Sequence, residues 1–312
     1  MSKKTLYLLG ILLTAIIGAI LNWLLCCPSG GEANIKTKSP IVAPVVEPLV
    51  EPETPAPAKN GLVFNDELGD FNYRTNDNFN FNDSSFNVLE PVSAKVDEGI
   101  DKLKAYLEAN PNKTIDLIGH YKSTEENPSA FPDLGIARAN AVKNHLVAKG
   151  VSSKNINLTS KLDDELTLDN DIYHGPVSYN ISTVDKVDEA AELADLRAEI
   201  IANPLIVHFK TGDSSLNLDA AQRVKMQKIS TYIDKVDDGK VSVVGHTDSV
   251  GSRTKNTQLG LERAKTVKGY LTKNGIDASK IAPSSQGPRK PIASNKTKAG
   301  RAKNRRVEVT LK

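Results

Sequence analysis

The chain has 312 residues, a formal net charge of +2 and only two cysteines, Cys26 and Cys27. Both cysteines precede the parts expected to fold, so no domain can contain a disulfide and each must depend on its own apolar core. The near-neutral total conceals a strong polarity: residues 203–312 hold 22 Lys and Arg against 9 Asp and Glu, whereas residues 1–202 hold 18 against 29.

An apolar run from Leu6 to Cys27 follows Lys3 and Lys4. Its roughly 22 residues, at about 1.5 Å each, are enough to cross a bilayer core about 30 Å thick. The lysines are expected to stay in the cytoplasm, so the rest of the chain would be exported. We predict that residues 1–27 form an uncleaved transmembrane helix, in the inner membrane.

Two alternatives concern the same segment. Leu24-Leu25-Cys26-Cys27 loosely resembles the processing site of outer-membrane lipoproteins, although such sites have a small residue where this chain has Leu25. The cysteine pair would also be able to cross-link two chains in an oxidising compartment, giving a homodimer. The inner-membrane anchor is favoured over lipidation.

Residues 28–60 are rich in Pro, Glu, Ala and Val and are predicted to be extended and disordered. In a polyproline conformation their roughly 33 residues would reach about 100 Å. This linker would hold the folded part away from the membrane.

An internal repeat defines the rest of the chain. The offset is a constant 125 residues from Leu134 to Ile156, which indicates duplication of one folding unit. The matched segments are Ile115–His120 with Val241–His246, and Leu134–Ala139 with Leu259–Ala264. We predict two domains, residues 61–183 and residues 203–312, joined by a connecting helix at residues 184–202.

The apolar pattern within each repeat predicts the order strand, helix, strand, helix, strand. The first helix carries apolar residues from Val92 to Leu107 in the first repeat and from Val224 to Ile233 in the second. This βαβαβ order predicts an α+β fold, with helices packed on one face of a mixed β-sheet.

Three motifs of the second repeat occur in a distinctive order: Gly245-His246-Thr247-Asp248, then Asn256-x-x-Leu259-Gly260-x-x-Arg263-Ala264, then Asn304-Arg305-Arg306. Together they resemble the OmpA-like peptidoglycan-binding domain over residues 203–312. The resemblance implies non-covalent binding of the peptide stems of the cell wall, whose diaminopimelate ends in a small zwitterion.

A receptor for that zwitterion needs an anion and a cation a few Å apart. Asp248, at the end of a predicted buried strand, can accept hydrogen bonds from the ammonium. Arg263, on a predicted helix, can pair with the carboxylate through two parallel hydrogen bonds. The resemblance places these two residues at the family's principal ligand positions and adds Thr247, Asn256 and Arg306 as further candidates.

Two features leave the pocket open to other interpretations. Arg305 and Arg306 precede an alternating run typical of a half-buried strand, beside which basic residues are often simply solvated. The family commonly has an acidic residue after the aromatic residue of its first strand, whereas Phe209 is followed here by Lys210.

The first repeat keeps only part of this pattern. Tyr121-Lys122 stands where the second repeat has Thr247-Asp248, and only Arg138, opposite Arg263, remains of the ligand pair. A lysine in place of the ammonium acceptor would repel the ligand. We therefore predict that residues 61–183 keep the fold without the binding site and act as a spacer or protein-contact surface.

Other classes of function are disfavoured. The sequence lacks a nucleophile with a paired base at a recognisable motif, metal-ligand spacing and a phosphate-binding loop, so we predict no enzyme, metal or cofactor. Nucleic acid is disfavoured because the basic residues lack a set of stacking aromatics. An ion-conducting stator needs an acidic residue in its span, and Leu6–Cys27 has none.

The predicted function is a tether. The second repeat would bind peptidoglycan in the periplasm of a Gram-negative bacterium, and the N-terminal helix would hold the membrane. The alternative is an envelope scaffold or stator-like subunit whose OmpA-like domains mainly contact proteins.

Overall fold

The structure is a computed structural model that describes residues 60–209 and 216–312. The predicted transmembrane segment, the linker up to residue 59, and Lys210 lie outside these ranges. Within the described ranges, no helix is both long enough and apolar enough to cross a lipid bilayer. Both repeats belong to one compact unit.

The elements of the first repeat are β1 (Leu62–Asn65), β2 (Asn72–Thr75), β3 (Asn80–Asn82), α1 (Ala94–Ala109), β4 (Lys113–Tyr121), α2 (Leu134–Ala148), β5 (Ile156–Leu162), β6 (Ile172–His174) and β7 (Val177–Thr183). A three-stranded mixed sheet has the order β5-β4-β7, in which β4 is parallel to β5 and antiparallel to β7. Two further antiparallel pairs are formed by β1 with β2 and by β3 with β6.

A helix, α3 (Lys186–Ala202), follows the first repeat. Its Ile200 is buried in the core of the second repeat, and Leu193 and Leu196 pack against that core. Val187, in the first turn of the helix, is largely exposed. The helix therefore packs as part of the second repeat as well as joining the two.

The elements of the second repeat are β8 (Leu205–His208), α4 (Ala220–Lys235), β9 (Val241–His246), α5 (Arg253–Lys273), β10 (Ile281–Gly287), α6 (Lys298–Asn304) and β11 (Arg306–Leu311). The strands form a four-stranded mixed sheet of order β10-β9-β11-β8. Strand β9 is parallel to β10 and antiparallel to β11, and β11 is also antiparallel to β8.

The prediction of a mixed α+β fold is confirmed, but each repeat has more strands than expected. In the second repeat the additional strand is β10, which contains Pro283 and ends at Gly287. Such a composition disfavours a central strand, and β10 lies at the edge of the sheet, where a proline is tolerated.

A pair of glycines brings a helix and a strand into direct contact in each repeat. A Cβ atom added at Gly245 of β9 would lie 1.8 Å from the carbonyl oxygen of Gly260 of α5, far inside van der Waals contact. In the first repeat, a Cβ at Gly119 would lie 1.9 Å from the carbonyl oxygen of Gly135. This contact holds the N-terminal half of α5 against the end of β9.

The two repeats are docked on one another through polar and apolar contacts. The Lys143 ammonium lies 2.6 Å from an Asp234 carboxylate oxygen, and the lysine side chain is only 2% exposed. The Ala130 N–H donates to the Asn274 side-chain oxygen at 3.1 Å, and Ala130 lies in the apolar core of the second repeat. The first repeat thus contributes to the packing of the second.

Replacing Gly245 with alanine is expected to destabilise the second repeat by at least about 1–3 kcal/mol, because the added methyl group would overlap the Gly260 carbonyl oxygen. Gly269→Ala is the matched control, since a Cβ there would meet no atom within 4 Å. That change is expected to stabilise α5 by about 0.5–1 kcal/mol. Urea unfolding followed by circular dichroism measures both, and similar effects at the two positions would contradict the glycine contact.

Lys143→Ala is expected to destabilise the protein by about 1–3 kcal/mol, because it leaves a partly buried Asp234 without its cation. Lys102→Ala is the control: Lys102 pairs with Glu98, but both side chains are more than half exposed. Thermal unfolding compares the two variants. Equal losses of stability would show that the buried pair between the repeats contributes no more than a surface pair.

Candidate functional site

A cavity of about 420 Å³ lies at the carboxyl end of β9 in the second repeat. Four of the five predicted ligand residues meet there, and Arg306 does not. The cavity is lined by Thr247, Asp248, Val250, Asn256, Leu259, Arg263, Lys298, Arg301 and Arg305.

Asp248 is held in place at the mouth of the strand. The Thr247 N–H donates to the Gly287 carbonyl at 3.0 Å, which ties the end of β9 to β10. One Asp248 carboxylate oxygen accepts from the Val250 N–H at 3.1 Å, and the other accepts from Arg305 Nη1 at 3.0 Å. The carboxylate is therefore fixed in direction while remaining at the cavity wall.

Arg263 is a buried cation in the lining of the same cavity, and only 3% of its surface is exposed. Its Cζ atom lies 5.4 Å from the centre of the Phe209 ring, within the range of a cation–π contact. Among the described residues, Nε and Nη1 have no hydrogen-bond partner. Burial lowers the pKa of Arg263, the nearby Arg305 lowers it further, and Asp248 opposes both. A buried guanidinium of this kind is stabilised by an anion that accepts its hydrogen bonds.

Arg305, not Arg306, lies at the cavity. Arg306 is buried, pairs with the Glu308 carboxylate at 2.7 Å and donates from Nη2 to the Lys290 carbonyl at 3.3 Å. Side chains along a strand alternate between the two faces of the sheet. Arg305 directly precedes β11 and lies two positions before Val307, which packs in the same core as α5. Counting every second residue back from Val307 would therefore have selected Arg305 instead of Arg306.

Asn256 and Asn304 organise the loops around the cavity. The Asn256 side-chain amide donates to the Val250 carbonyl at 2.9 Å and so closes the loop after β9. The fully buried Asn304 accepts from the Ile292 N–H at 2.8 Å and donates to the Ala293 carbonyl at 2.8 Å. Asn304 was not among the predicted ligand residues, and its contacts with residues 292–295 assign it a supporting role.

The cavity is strongly basic. Its lining contains four cationic side chains, Arg263, Lys298, Arg301 and Arg305, against the single carboxylate of Asp248. The exposed side chains of Val250 and Leu259 add an apolar rim. Such a surface attracts anionic groups, and Asp248 provides one position for a cation.

The structure also brings together Ser178, His120 and Asp163 in the first repeat. Ser178 Oγ lies 2.8 Å from His120 Nε2, and His120 Nδ1 lies 3.1 Å from an Asp163 carboxylate oxygen, an order of groups found in serine hydrolases. Hydrolysis also needs donors aimed at an oxyanion. Gly175 lines a cavity in the first repeat together with these three residues, and its N–H already donates to the Phe79 carbonyl. We interpret the three residues as a link between β4, β7 and the turn after β5.

His246 is a buried titratable group beside the candidate binding site. Among the described residues, neither ring nitrogen has a hydrogen-bond partner, and a Glu308 carboxylate oxygen lies 3.7 Å from Nε2. Burial lowers the pKa of His246, the Arg306 guanidinium lowers it further, and Glu308 opposes both. The fold therefore favours the neutral imidazole.

The free energy of unfolding is expected to fall as pH decreases below about 6.5, the ordinary histidine pKa, because the unfolded state then binds a proton that the buried His246 resists. This stability is fully present above that pH and is lost toward the lower folded-state pKa. Urea titrations at pH 7.5 and 5.5 measure it in the native protein and in His246→Gln, which should show a smaller pH dependence. Identical pH dependence in the two proteins would contradict this assignment.

Comparison with known proteins finds relatives that match about one hundred residues of this chain. The probable lipoprotein YiaD of Escherichia coli strain K12 is 40% identical over 98 residues, which cover 31% of this chain and 45% of YiaD. The peptidoglycan-binding protein ArfA of Mycobacterium tuberculosis is 37% identical over 100 residues, which cover 32% of this chain and 31% of ArfA. The match thus spans less than half the length of either relative.

The crystal structure of the peptidoglycan-associated lipoprotein from Burkholderia pseudomallei has 25% sequence identity and a TM-score of 0.32, covering 36% of this chain and 92% of that one. The family model described as the OmpA family matches residues 80–171 in the first repeat and residues 208–305 in the second. These two segments make up more than half of the 312 residues. The chain belongs to the OmpA family.

Proposed function

We propose that the second repeat binds peptidoglycan non-covalently, by holding the zwitterionic end of a diaminopimelate stem in the cavity at the carboxyl end of β9. The observation that carries this proposal is the buried Arg263 guanidinium, which faces the same cavity as the fixed carboxylate of Asp248. Arg263 would donate to the ligand carboxylate, and Asp248 would accept from the ligand ammonium.

The remaining lining residues support this assignment in different ways. Arg305 positions the Asp248 carboxylate through its 3.0 Å contact. Lys298 and Arg301 add positive charge, which would attract the carboxylates of neighbouring stem peptides. Thr247 lines the cavity with a buried hydroxyl that has no hydrogen-bond partner among the described residues, and it would be free to bond the ligand. Asn256 and Asn304 would act by shaping the loops.

The wider role that we propose is a tether between a membrane and the cell wall. The names of the relatives are consistent with this role, since ArfA is called a peptidoglycan-binding protein and YiaD a probable lipoprotein. Family membership confirms the prediction of a non-enzymatic protein. We place the two repeats in the periplasm and the anchor in residues 1–27, with residues 28–60 as linker. Within this scheme the first domain is formed by residues 61–183 and the connecting helix by residues 184–202. The binding domain is formed by residues 203–312.

Binding to diaminopimelate-type peptidoglycan is expected to weaken about tenfold or more in Arg263→Gln and in Asp248→Asn, because each loses a charge-assisted hydrogen bond with the ligand. Lys265→Gln and Glu262→Gln are matched controls, since they remove one positive and one negative charge at exposed positions of α5, the helix that carries Arg263. Co-sedimentation with purified cell walls, with soluble diaminopimelate as competitor, measures the affinity.

The folded part is tested with both repeats present, because Ala130 of the first repeat packs in the core of the second. If the native protein stays in the supernatant, or if all four variants pellet like the native protein, the zwitterion site is wrong. In that case a protein-contact role for the basic cavity takes its place, which pull-down with envelope proteins would then examine.

A further inference from the structure

The first repeat contains an arginine at the position of Arg263. Arg138 lies three residues after the helix glycine that contacts β4, as Arg263 lies three residues after the glycine that contacts β9. Its Cζ atom lies 5.7 Å from the centre of the Phe81 ring, close to the 5.4 Å between Arg263 and Phe209. The two repeats thus hold the same buried cation in the same framework.

In the first repeat this cation is paired within the chain. Arg138 Nη1 donates to one carboxylate oxygen of Glu125 at 3.1 Å, and Nη2 donates to the other at 2.5 Å. The Arg138 side chain is 0% exposed and that of Glu125 is 1% exposed. Nε also donates to the Ser85 carbonyl, and Nη1 donates a second hydrogen bond to the His120 carbonyl. Each of the three guanidinium nitrogens therefore donates at least one hydrogen bond within the chain.

The Glu125 carboxylate has two further donors, both from the main chain. The Lys122 N–H donates to it at 2.9 Å and the Ser84 N–H at 3.2 Å. Lys122 directly follows β4 and occupies the position that Asp248 has after β9. Four N–H groups from three separate segments thus converge on one carboxylate. This arrangement is a complete receptor for a carboxylate group.

We propose that the centre formed by Arg138, Lys122 N–H and Ser84 N–H is a carboxylate-binding site that the chain occupies with its own Glu125. Glu125 takes the place of a ligand, and the first repeat is closed to the carboxylates of the cell wall. If the glutamate side chain is removed, a small free carboxylate of matching shape, such as formate or acetate, binds in its place. This inference does not depend on peptidoglycan binding by the second repeat.

Glu125→Ala in the full-length chain tests the proposal. The variant is expected to have a lower Tm than the native protein, because it leaves the buried Arg138 without its anion. Sodium formate or acetate is expected to raise the Tm of the variant in a saturable manner, as a bound ligand does, relative to sodium chloride at the same ionic strength. The native protein should show no such carboxylate-specific increase.

Glu126→Ala is the matched control, since it removes the adjacent exposed carboxylate and should show no response to formate. Combining Glu125→Ala with Arg138→Ala should abolish the response, because the main receptor group is gone. If Glu125→Ala does not fold in chloride, refolding from urea in formate is compared with refolding in chloride. Recovery of the native circular dichroism spectrum in formate alone supports the proposal. Equal behaviour of the variant in formate and chloride, in either measurement, overturns it.

Discussion

Gly245 of β9 and Gly260 of α5 meet so closely that a side chain at Gly245 would overlap the helix backbone. Because of this contact, the helix turn that carries Arg263 lies against the end of the strand that presents Asp248. A long cation is thereby held in a buried position where water solvates it poorly. The need of Arg263 for an anionic partner follows from this close approach, whereas Asn256 and Asn304 arrange the surrounding loops.

A buried arginine requires an anion, and the chain contains two such arginines in equivalent frameworks. In the first repeat, Glu125 supplies the anion from a neighbouring loop and the ion pair is sealed from solvent. In the second, Asp248 is engaged by Arg305, so Arg263 faces the cavity with two nitrogens that have no partner among the described residues. The difference between a structural ion pair and a candidate binding site thus depends on which loop carries the carboxylate.

The parts of the structure that depend on local patterns could be predicted from the sequence. The repeat and the mixed α+β fold follow from motifs in which helix and strand periods are clear, and the family resemblance predicted that Asp248 and Arg263 line one cavity. Strand β10 was not predicted, because Pro283 and its serines resemble a loop and only its edge position permits a strand. The pairing of Glu125 with Arg138 depends on the path of a loop, which no periodicity reveals. That the five predicted residues bind ligand stays a prediction.

The docking of the repeats has a mechanical consequence. Tension between residue 60 and a ligand held at Asp248 would pass through the first repeat and then into the second. Helix α3 is one connection, and the Lys143–Asp234 and Ala130–Asn274 contacts run in parallel with it. The load would be shared between the covalent connection and the non-covalent contacts. The two repeats would therefore move together under force instead of bending at the segment between them.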